Sequence, residues 1–363
     1  MEMNHRSNKK LKLAQINLMR SDKALYDLQE FQKHAKFDLA LVSEPPITQG
    51  KMIITSRGKI LQAAKNENNH VKAAIIVYND DIGVNQTNVY ATTNMVELEL
   101  KGLPNNIKIM SIYLQPSSDI RKDLEEVVKL YDSKYPTILA GDFNARSTRW
   151  NNKVTTSRGR ELENLCDVQQ LIIMNQNAEP TFETYRAGRY YSSTIDLTLA
   201  NIKGANVLTS WYLDDRAMIR SDHNIILFEI ELDMVTQPPM TRRYDTRNVN
   251  WHSFREKYIA EIRDKNILNK INNCSESKDI EDITTELAQA VESVYETTLS
   301  KVCKKRSRVK WKSAELDKLK LHLVRIKRSI RRARQQNREG LIEIYQSLKE
   351  KADAEWNRVR LMS

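Results

Sequence analysis

Residues 137–150 read TILAGDFNARSTRW, and this stretch decides how the rest of the chain is read. Thr137, Ile138, Leu139 and Ala140 have the β-branched, apolar character of a buried strand. Gly141 follows, with room for a close turn. Asp142 comes next, and Asn144 stands two residues later. An apolar strand thus ends by delivering a carboxylate and an amide to its own tip. A carboxylate so placed is costly unless it is paired or binds a cation.

Working outward, short β-like runs alternate with helical patterns through residue 233. LKLAQINL (11–18), FDLALVSE (37–44), AAIIVYN (73–79), NVYATTNMVELEL (88–100) and IKIMSIYLQ (107–115) read as strands. After the opening stretch so do LIIMN, STIDLTLAN, NVLTSWYL and HNIILFEIEL. Helices are expected over 22–36, 119–131 and 158–170, from apolar positions such as Leu25, Leu28 and Phe31 that fall on one face. Ten or so strands with few helices point to an α/β fold: a four-layer sandwich of two packed mixed sheets flanked by helices. Strand ends from both sheets can then meet at one edge. Loops are expected over 45–72, 145–158 and 183–192.

The pattern changes at MVTQPPMTRR (234–243), which marks a boundary between a domain at 10–233 and a basic, all-helical extension at 241–363. Trp251, Phe254, Tyr258 and Ile262 open the helical part. Leu316, Leu319, Leu323, Ile326 and Ile330 form a short coiled-coil-like seam, and Gly340 interrupts it. Leu341, Tyr345, Leu348, Ala352, Trp356 and Val359 resume the helix, so an antiparallel hairpin is expected. Residues 1–240 hold 29 basic and 29 acidic side chains, and residues 241–363 hold 29 and 18, so the whole excess of +11 lies in the extension. Such charge invites a polyanion, most readily nucleic acid. Three widely spaced cysteines, Cys166, Cys274 and Cys303, exclude a disulfide scaffold and a cysteine zinc site. No apolar run reaches the length of a membrane span and the N-terminus lacks a secretory pattern, so a soluble intracellular protein without a membrane partner is expected.

The tip at Asp142 has companions. Asn17 follows LKLAQI, Glu44 follows LALVS, Tyr113 lies in IMSIYLQP, Asp196 lies inside STIDLTLA, and Asp222 and His223 precede the last strand. These residue types suit hydrolysis of a phosphate diester, which needs a cation against developing charge, a base for water and donors for the pentavalent transition state. Magnesium or manganese takes hard oxygen ligands, for which Glu44 is the principal candidate. Asp142 with Asn144 suits a base and its positioning amide. His223 with Asp196 suits an imidazole fixed in tautomer and stabilised as a cation. Arg146, Arg149 and Trp150 follow the strand tip, where they could meet a DNA backbone and a base.

The ordered set QIN, SEP, SIYLQP, GDFNAR, PTF, STIDLTLA and SDHN resembles the endonuclease/exonuclease/phosphatase superfamily, and more narrowly the apurinic-type endonuclease domain of insect non-LTR retrotransposons. The resemblance covers roughly residues 10–233. The extension, with WHSFREKY and VKWKSAELDKLK, is similar to the basic helical linker that precedes reverse transcriptase in such polyproteins. The resemblance implies a divalent-metal endonuclease that nicks one strand of DNA and leaves a 3′-hydroxyl to prime reverse transcription. It assigns Asn17 and Tyr113 to the phosphate, Glu44 to the metal, Asp142 to the base and Asn144 to its neighbouring amide. Thr181 falls on the phosphate side, Asp196 is the partner of His223, and Ser221, Asp222 and His223 form a triplet in which Asp222 assists the metal. One position departs from the pattern: Met19 stands where repair-type relatives carry an aspartate.

The expected partners are DNA and, through the basic helices, element RNA. The expected setting is a monomer acting in the nucleus after synthesis in the cytoplasm. Two other functions share these residues: a catalytically degenerate nucleic-acid-binding module, and a phosphatase of the same fold.

Overall fold

The protein is described from a computed structural model, which covers residues 7–52, 54, 58–64, 70–86, 92–100, 106–175, 179–186, 189–214, 216–234, 244–245, 249–274, 277–301, 313–333 and 335–361. In chain order the elements of the α/β part are β1 (Ser7–Asn17), α1 (Asp22–Ala35), β2 (Leu39–Ser43), β3 (Lys59–Gln62), β4 (Ala73–Val77), β5 (Val84–Gln86), β6 (Met95–Leu100), β7 (Ile107–Tyr113), α2 (Ile120–Leu130), β8 (Thr137–Asp142), α3 (Ser157–Val168), β9 (Ile172–Ile173), β10 (Phe182–Arg186), β11 (Arg189–Ser193), β12 (Asp196–Ala200), α4 (Ile202–Val207), β13 (Leu208–Leu213) and β14 (Ile226–Met234). Beyond them come β15 (Tyr244–Asp245), α5 (Trp251–Asp264), α6 (Ile267–Asn272), α7 (Ser277–Thr298), β16 (Ser300–Lys301), α8 (Ala314–Arg332) and α9 (Gln335–Leu361).

Two six-stranded sheets carry the α/β part, in the orders β13-β14-β1-β2-β4-β3 and β5-β6-β7-β8-β12-β9. Both are mixed: β1 runs parallel to β2 and β7 parallel to β8, and the other pairs are antiparallel. Period-two alternation sorts each strand between two layers. In β1, Leu11 and Leu13 enter the core between the sheets, whereas Ala14 and Ile16 face α1. In β8, Ile138 and Ala140 enter that same core, whereas Leu139 faces α2 and α3. The helices start at side-chain caps: Ser21 accepts from Ala24 N, Asp119 from Arg121 N and Thr156 from Gly159 N. The outcome is helix, sheet, sheet, helix, as the sequence predicts.

Of the strand expected over 88–100, Met95–Leu100 is formed among the described residues, with the Thr92 hydroxyl accepting the Met95 amide at its start; residues 88–91 lie outside them. Gly141 makes no turn; it lies within β8, opposite Ile112 of β7. A Cβ there would stand 1.9 Å from the Ile112 carbonyl oxygen, so the glycine is required by close approach of two strands. Residues expected as the loop 183–192 form an antiparallel arm, β10–β11, outside both large sheets. Gly340 does not interrupt a helix: α9 runs through it, with open space where a Cβ would stand.

By contact the chain divides into two units, Met1–Gln237 with Ser307–Ser363, and Pro238–Arg306. The sequence groups 241–363 as one extension; in the structure its last part packs with the α/β domain. Leu316, Leu323, Ala352 and Trp356 form a small core with Tyr26 of α1. Ser313, which caps α8, also donates to Glu355 near the far end of α9, so the two helices are antiparallel. In the second unit α7 packs with α5 and α6, Phe254 meets Tyr258 and Tyr295, and a two-residue pairing joins β15 to β16. Among the described residues no helix is long and apolar enough to cross a membrane.

Candidate active site

The strand faces that fill the core between the sheets also build the site at its edge. In β1 the residues after Leu11 and Leu13 on that face are Gln15 and Asn17; in β8 the residue after Ile138 and Ala140 is Asp142. The same alternation brings Ser43 to the tip of β2, Tyr113 to the tip of β7 and Asp196 to the start of β12. Asp142, Tyr113 and Asp196 are neighbours through the sheet itself, since Asp142 pairs with Tyr113 on one side and Asp196 on the other.

Asp142 is buried and accepts the Asn144 amide at 2.9 Å on Oδ1 and the Asn17 side-chain amide at 3.0 Å on Oδ2. Its own N–H donates to Ser43 Oγ. Burial, reinforced by the nearby Asp196 charge, pushes the Asp142 carboxyl up to about 7, against the His223 cation and the two amides, which pull it down. Asn144 sits in the left-handed region at φ 47°, which an asparagine tolerates, and its side-chain amide donates to the Leu114 carbonyl. The Asn17 amide also reaches Glu44 Oε2 at 3.3 Å, so it links the two carboxylates.

His223 is buried, and its Nδ1 lies 2.9 Å and 3.1 Å from the two oxygens of Asp196. That leaves Nε2 as the ring atom facing away from the pair. Burial disfavours the imidazolium, but Asp196, with Asp142 and Asp222 nearby, raises the His223 pKa to about 9. One ligand atom each from Asp142, Asp196 and His223 lie within 4.8 Å of one another, a grouping that could hold a metal ion. Both Asp196 oxygens already face the His223 ring, however, and that arrangement better suits a fixed acid–base pair. Oxygen donors of the kind a hard divalent ion takes are found beside it, in Glu44 and Asp142 joined through Asn17.

Glu44 adopts φ 45°, a strained conformation for a non-glycine residue and one that places its side chain at the site rather than along the strand. Arg20 Nη2 lies 3.0 Å from its Oε1. Tyr113 hydrogen-bonds Glu44; burial first, and then the Glu44 charge, push its hydroxyl pKa well up, so it is a donor. Met19 places its sulfur 3.3 Å from the Asp222 amide. Asp222 is engaged elsewhere: its oxygens accept Thr184 Oγ1 at 2.7 Å and Lys349 Nζ at 3.1 Å. Burial opposes its charge, yet the Lys349 cation and the Thr184 hydroxyl bring its pKa below the usual range.

Thr181 and Ser221 face inward. The Thr181 hydroxyl accepts the amides of Ile195 and Asp196, which fixes the start of β12. The Ser221 hydroxyl donates to the Asn17 carbonyl and accepts the His223 amide, tying the His223 loop to the end of β1. Arg146 is exposed, and Arg149 pairs with Asp167 at 2.8 Å. Trp150 contacts no substrate surface: it is fully buried in the core beneath α3 and donates to the Ala145 carbonyl. The size and apolar surface of an indole outweigh its place in a polar stretch.

The frame of the site is held by residues not expected from the sequence as site residues. Gln15 donates to the carbonyls of Gly141 and Leu197 and accepts from Thr198, tying one sheet to the other. Asn175 grips the Asp196 carbonyl and the Thr198 amide. Arg158 donates to the carbonyls of Asn144, Ser118 and Phe143. A polar residue on the inward face of a predicted strand, as at Gln15, was the available signal.

Residues 107–227 match the family described as endonuclease-reverse transcriptase. The RNA-directed DNA polymerase from mobile element jockey of Drosophila funebris is 23% identical over 219 residues, covering 59% of this chain and 23% of that protein. The chain therefore spans about a quarter of the length of that curated relative. The endonuclease domain of TRAS1, a telomere-specific non-LTR retrotransposon, superimposes with a TM-score of 0.54 at 29% identity, over 61% of this chain and 98% of that one.

Proposed function

We propose, from the premise that the α/β domain belongs to the endonuclease/exonuclease/phosphatase superfamily as an endonuclease domain of the non-LTR retrotransposon type, that it nicks one strand of DNA in a divalent-metal-dependent hydrolysis and leaves a 3′-hydroxyl that primes reverse transcription. The observation that carries this reading is the meeting of two devices: Asp142, held by two amides with its pKa up at about 7, beside His223, held by Asp196 with its pKa up at about 9. Near neutral pH the first can take a proton and the second holds one.

A water oxygen bonds to phosphorus as Asp142 takes its proton, and the bond from phosphorus to the 3′-oxygen breaks. The 3′-oxygen gains a proton from solvent and leaves as a hydroxyl. His223, as a cation fixed by Asp196, and Tyr113, as a neutral donor, face the charge that grows on the phosphate oxygens. Asn144 and Asn17 keep the Asp142 carboxylate aimed. Glu44, beside Asp142, would hold Mg²⁺ or Mn²⁺, which when bound neutralises charge on the phosphate. Asp222 anchors the His223 loop through Thr184 and Lys349. Arg146 and Arg149, at the rim, would contact the DNA backbone, and Thr181 and Ser221 would hold the phosphate side of the site in shape.

The setting is a monomer acting on nuclear DNA after synthesis in the cytoplasm. The basic stretch 301–312, by its charge, is the part that would take element RNA. The test is nicking of supercoiled plasmid with Mg²⁺ or Mn²⁺, with labelling of the new 3′ end. Asp142→Ala and His223→Ala are expected to abolish nicking, and undiminished cutting by both would sink the assignment. One observation favours a second reading: Arg20 on Glu44 already neutralises the carboxylate expected to hold the ion. A copy that binds DNA with steep salt dependence but cuts with neither metal would be the silent form.

A further inference from the structure

The loop from Arg220 to Asn224, which carries His223, is gripped by α8 and α9 at three successive points. At its start, Arg220 forms two hydrogen bonds through Nε and Nη2 to buried Asp27, which Lys320 of α8 also meets, and its guanidinium lies 4.7 Å from the Trp356 ring of α9. In the middle, Lys349 of α9 holds Asp222 at 3.1 Å. At its end, Lys327 of α8 donates to Asn224 Oδ1 at 2.8 Å.

The β10–β11 arm is tied into the same joint. Glu183 is fully buried and accepts from Arg331, from Asn224 at 2.8 Å and from Tyr190 at 2.6 Å, while Lys327 lies 3.6 Å away. Its own amide donates to the Asp222 carbonyl, and Phe182 pairs with His223, ring to ring at 4.9 Å. Tyr185 of the arm packs on Tyr345 of α9 at 4.7 Å. A cavity lined in part by His223, Asn224, Lys327, Arg331, Tyr345 and Lys349 lies along this joint. A buried carboxylate with this many donors is a fixed point, because moving it would part several donors from its charge at once.

We propose that the α8–α9 hairpin, which lies beyond the end of the family match at residue 227, is a clamp that sets the pose of the His223 loop and of the β10–β11 arm, so that Lys327, Arg331 and Lys349 are positioning residues for the cleavage reaction. They act through Asn224, Glu183 and Asp222, to which they are hydrogen-bonded or paired. The catalytic half of this inference rests on the endonuclease reading; the structural half stands without it.

The experiment uses the full chain and three variants, Lys349→Ala, Tyr345→Ala and Arg331→Ala, with Lys349→Arg as the conservative control. Amide hydrogen exchange is read at residues 182–193 and 221–224 and, as a reference, in β8 and β12. The clamp predicts exchange faster by about tenfold or more in the first two segments, with β8 and β12 unchanged, and recovery in Lys349→Arg. In plasmid nicking it predicts kcat lowered about tenfold with KM for DNA held, since a displaced His223 affects the chemical step. Unchanged exchange in both segments for Lys349→Ala and Tyr345→Ala would overturn the clamp, and would do so even if Arg331→Ala failed to fold. Loosened segments with kcat unchanged would overturn the positioning role. A wild-type chain that cuts nothing would instead remove the endonuclease reading, and the exchange data would still decide the clamp.

Discussion

At the scale of single residues, the chemistry turns on two groups whose surroundings move both pKa values upward for different reasons. Burial raises Asp142 to about 7, and Asp196 raises His223 to about 9 against burial. The base must be deprotonated and the imidazole protonated, so we predict that kcat rises as pH passes about 7 and falls as it passes about 9. A bound divalent ion beside Asp142 would move the lower limb down and, because His223 lies close by, draw the upper limb down as well. A kcat that stays flat from about pH 6 to about pH 10 would remove both assignments. The same shifts bear on stability. The His223 contribution is fully present below 6.5 and is lost as pH rises through about 9. For Asp142, whose folded pKa lies above 3.8, stability falls as pH rises between 3.8 and about 7. Gly141 shows a different constraint. We predict that Gly141→Ala costs ~3 kcal/mol or more, since its Cβ would meet backbone and not a side chain that could swing away. A melting temperature equal to that of the wild type would show that the strands can part at that point.

At the scale of elements, strand alternation explains why one layer is both core and site. Leu11, Leu13, Gln15 and Asn17 occupy one face of β1, and the environment changes from apolar to polar along it. This is why the polar tips were legible in sequence: a period-two run that ends in an acid or amide can be read without knowing the partner strand. The helices α1, α2 and α3 were legible through the phase of their apolar positions. The β10–β11 arm was not, because its charged and tyrosine-rich residues read as a loop; only TFETYR and RYYSS flanking Ala187 and Gly188 gave a hairpin signal. Nor was Trp150, whose burial depends on α3 closing over it. Arg158 is a similar case: a charged helix residue whose role lies in three carbonyls of other segments. We predict that Arg158→Ala loosens the segment that carries Asn144 and lowers kcat about tenfold or more, while melting shifts by only about 1–3 kcal/mol in stability. Unaltered kcat in that variant would show that Asn144 is held well enough by Leu114 and Asp142 alone.

At the scale of the whole molecule, charge is distributed as if the α/β domain and the last two helices were one object. The domain is neutral in its basic and acidic counts, yet it buries Asp27 and Glu183. Lys320, Lys327 and Arg331 of α8 meet those acids, and Lys349 of α9 meets Asp222, so part of the basic excess faces inward and not toward a polyanion. The seam residues Leu316 and Leu323 are buried with Ala352 and Trp356 against Tyr26, which supplies apolar area to the same contact. The joint therefore has a definite pH signature. Burial would raise Glu183, but the Arg331 hydrogen bonds and the Lys327 and Arg331 charges bring it down to about 2. A carboxylate depressed on folding stabilises the folded state fully above its ordinary value of 4.5, and that contribution is lost as pH falls toward about 2. We predict that acid loosens the helices from the domain within this window, before the sheets unfold. Trp356, at 1% exposure, would then become solvated while Trp150, at 0%, stays buried. In Glu183→Gln, which leaves Arg331 facing a neutral amide, the joint should be weaker by about 3–5 kcal/mol at neutral pH and should no longer respond to acid through this group. Tryptophan fluorescence of Trp356→Phe and wild-type chains across pH 2 to 5 separates the two events, a range of about three units around the ordinary carboxylate value. A single transition in which both tryptophans become exposed together would show that hairpin and sandwich unfold as one.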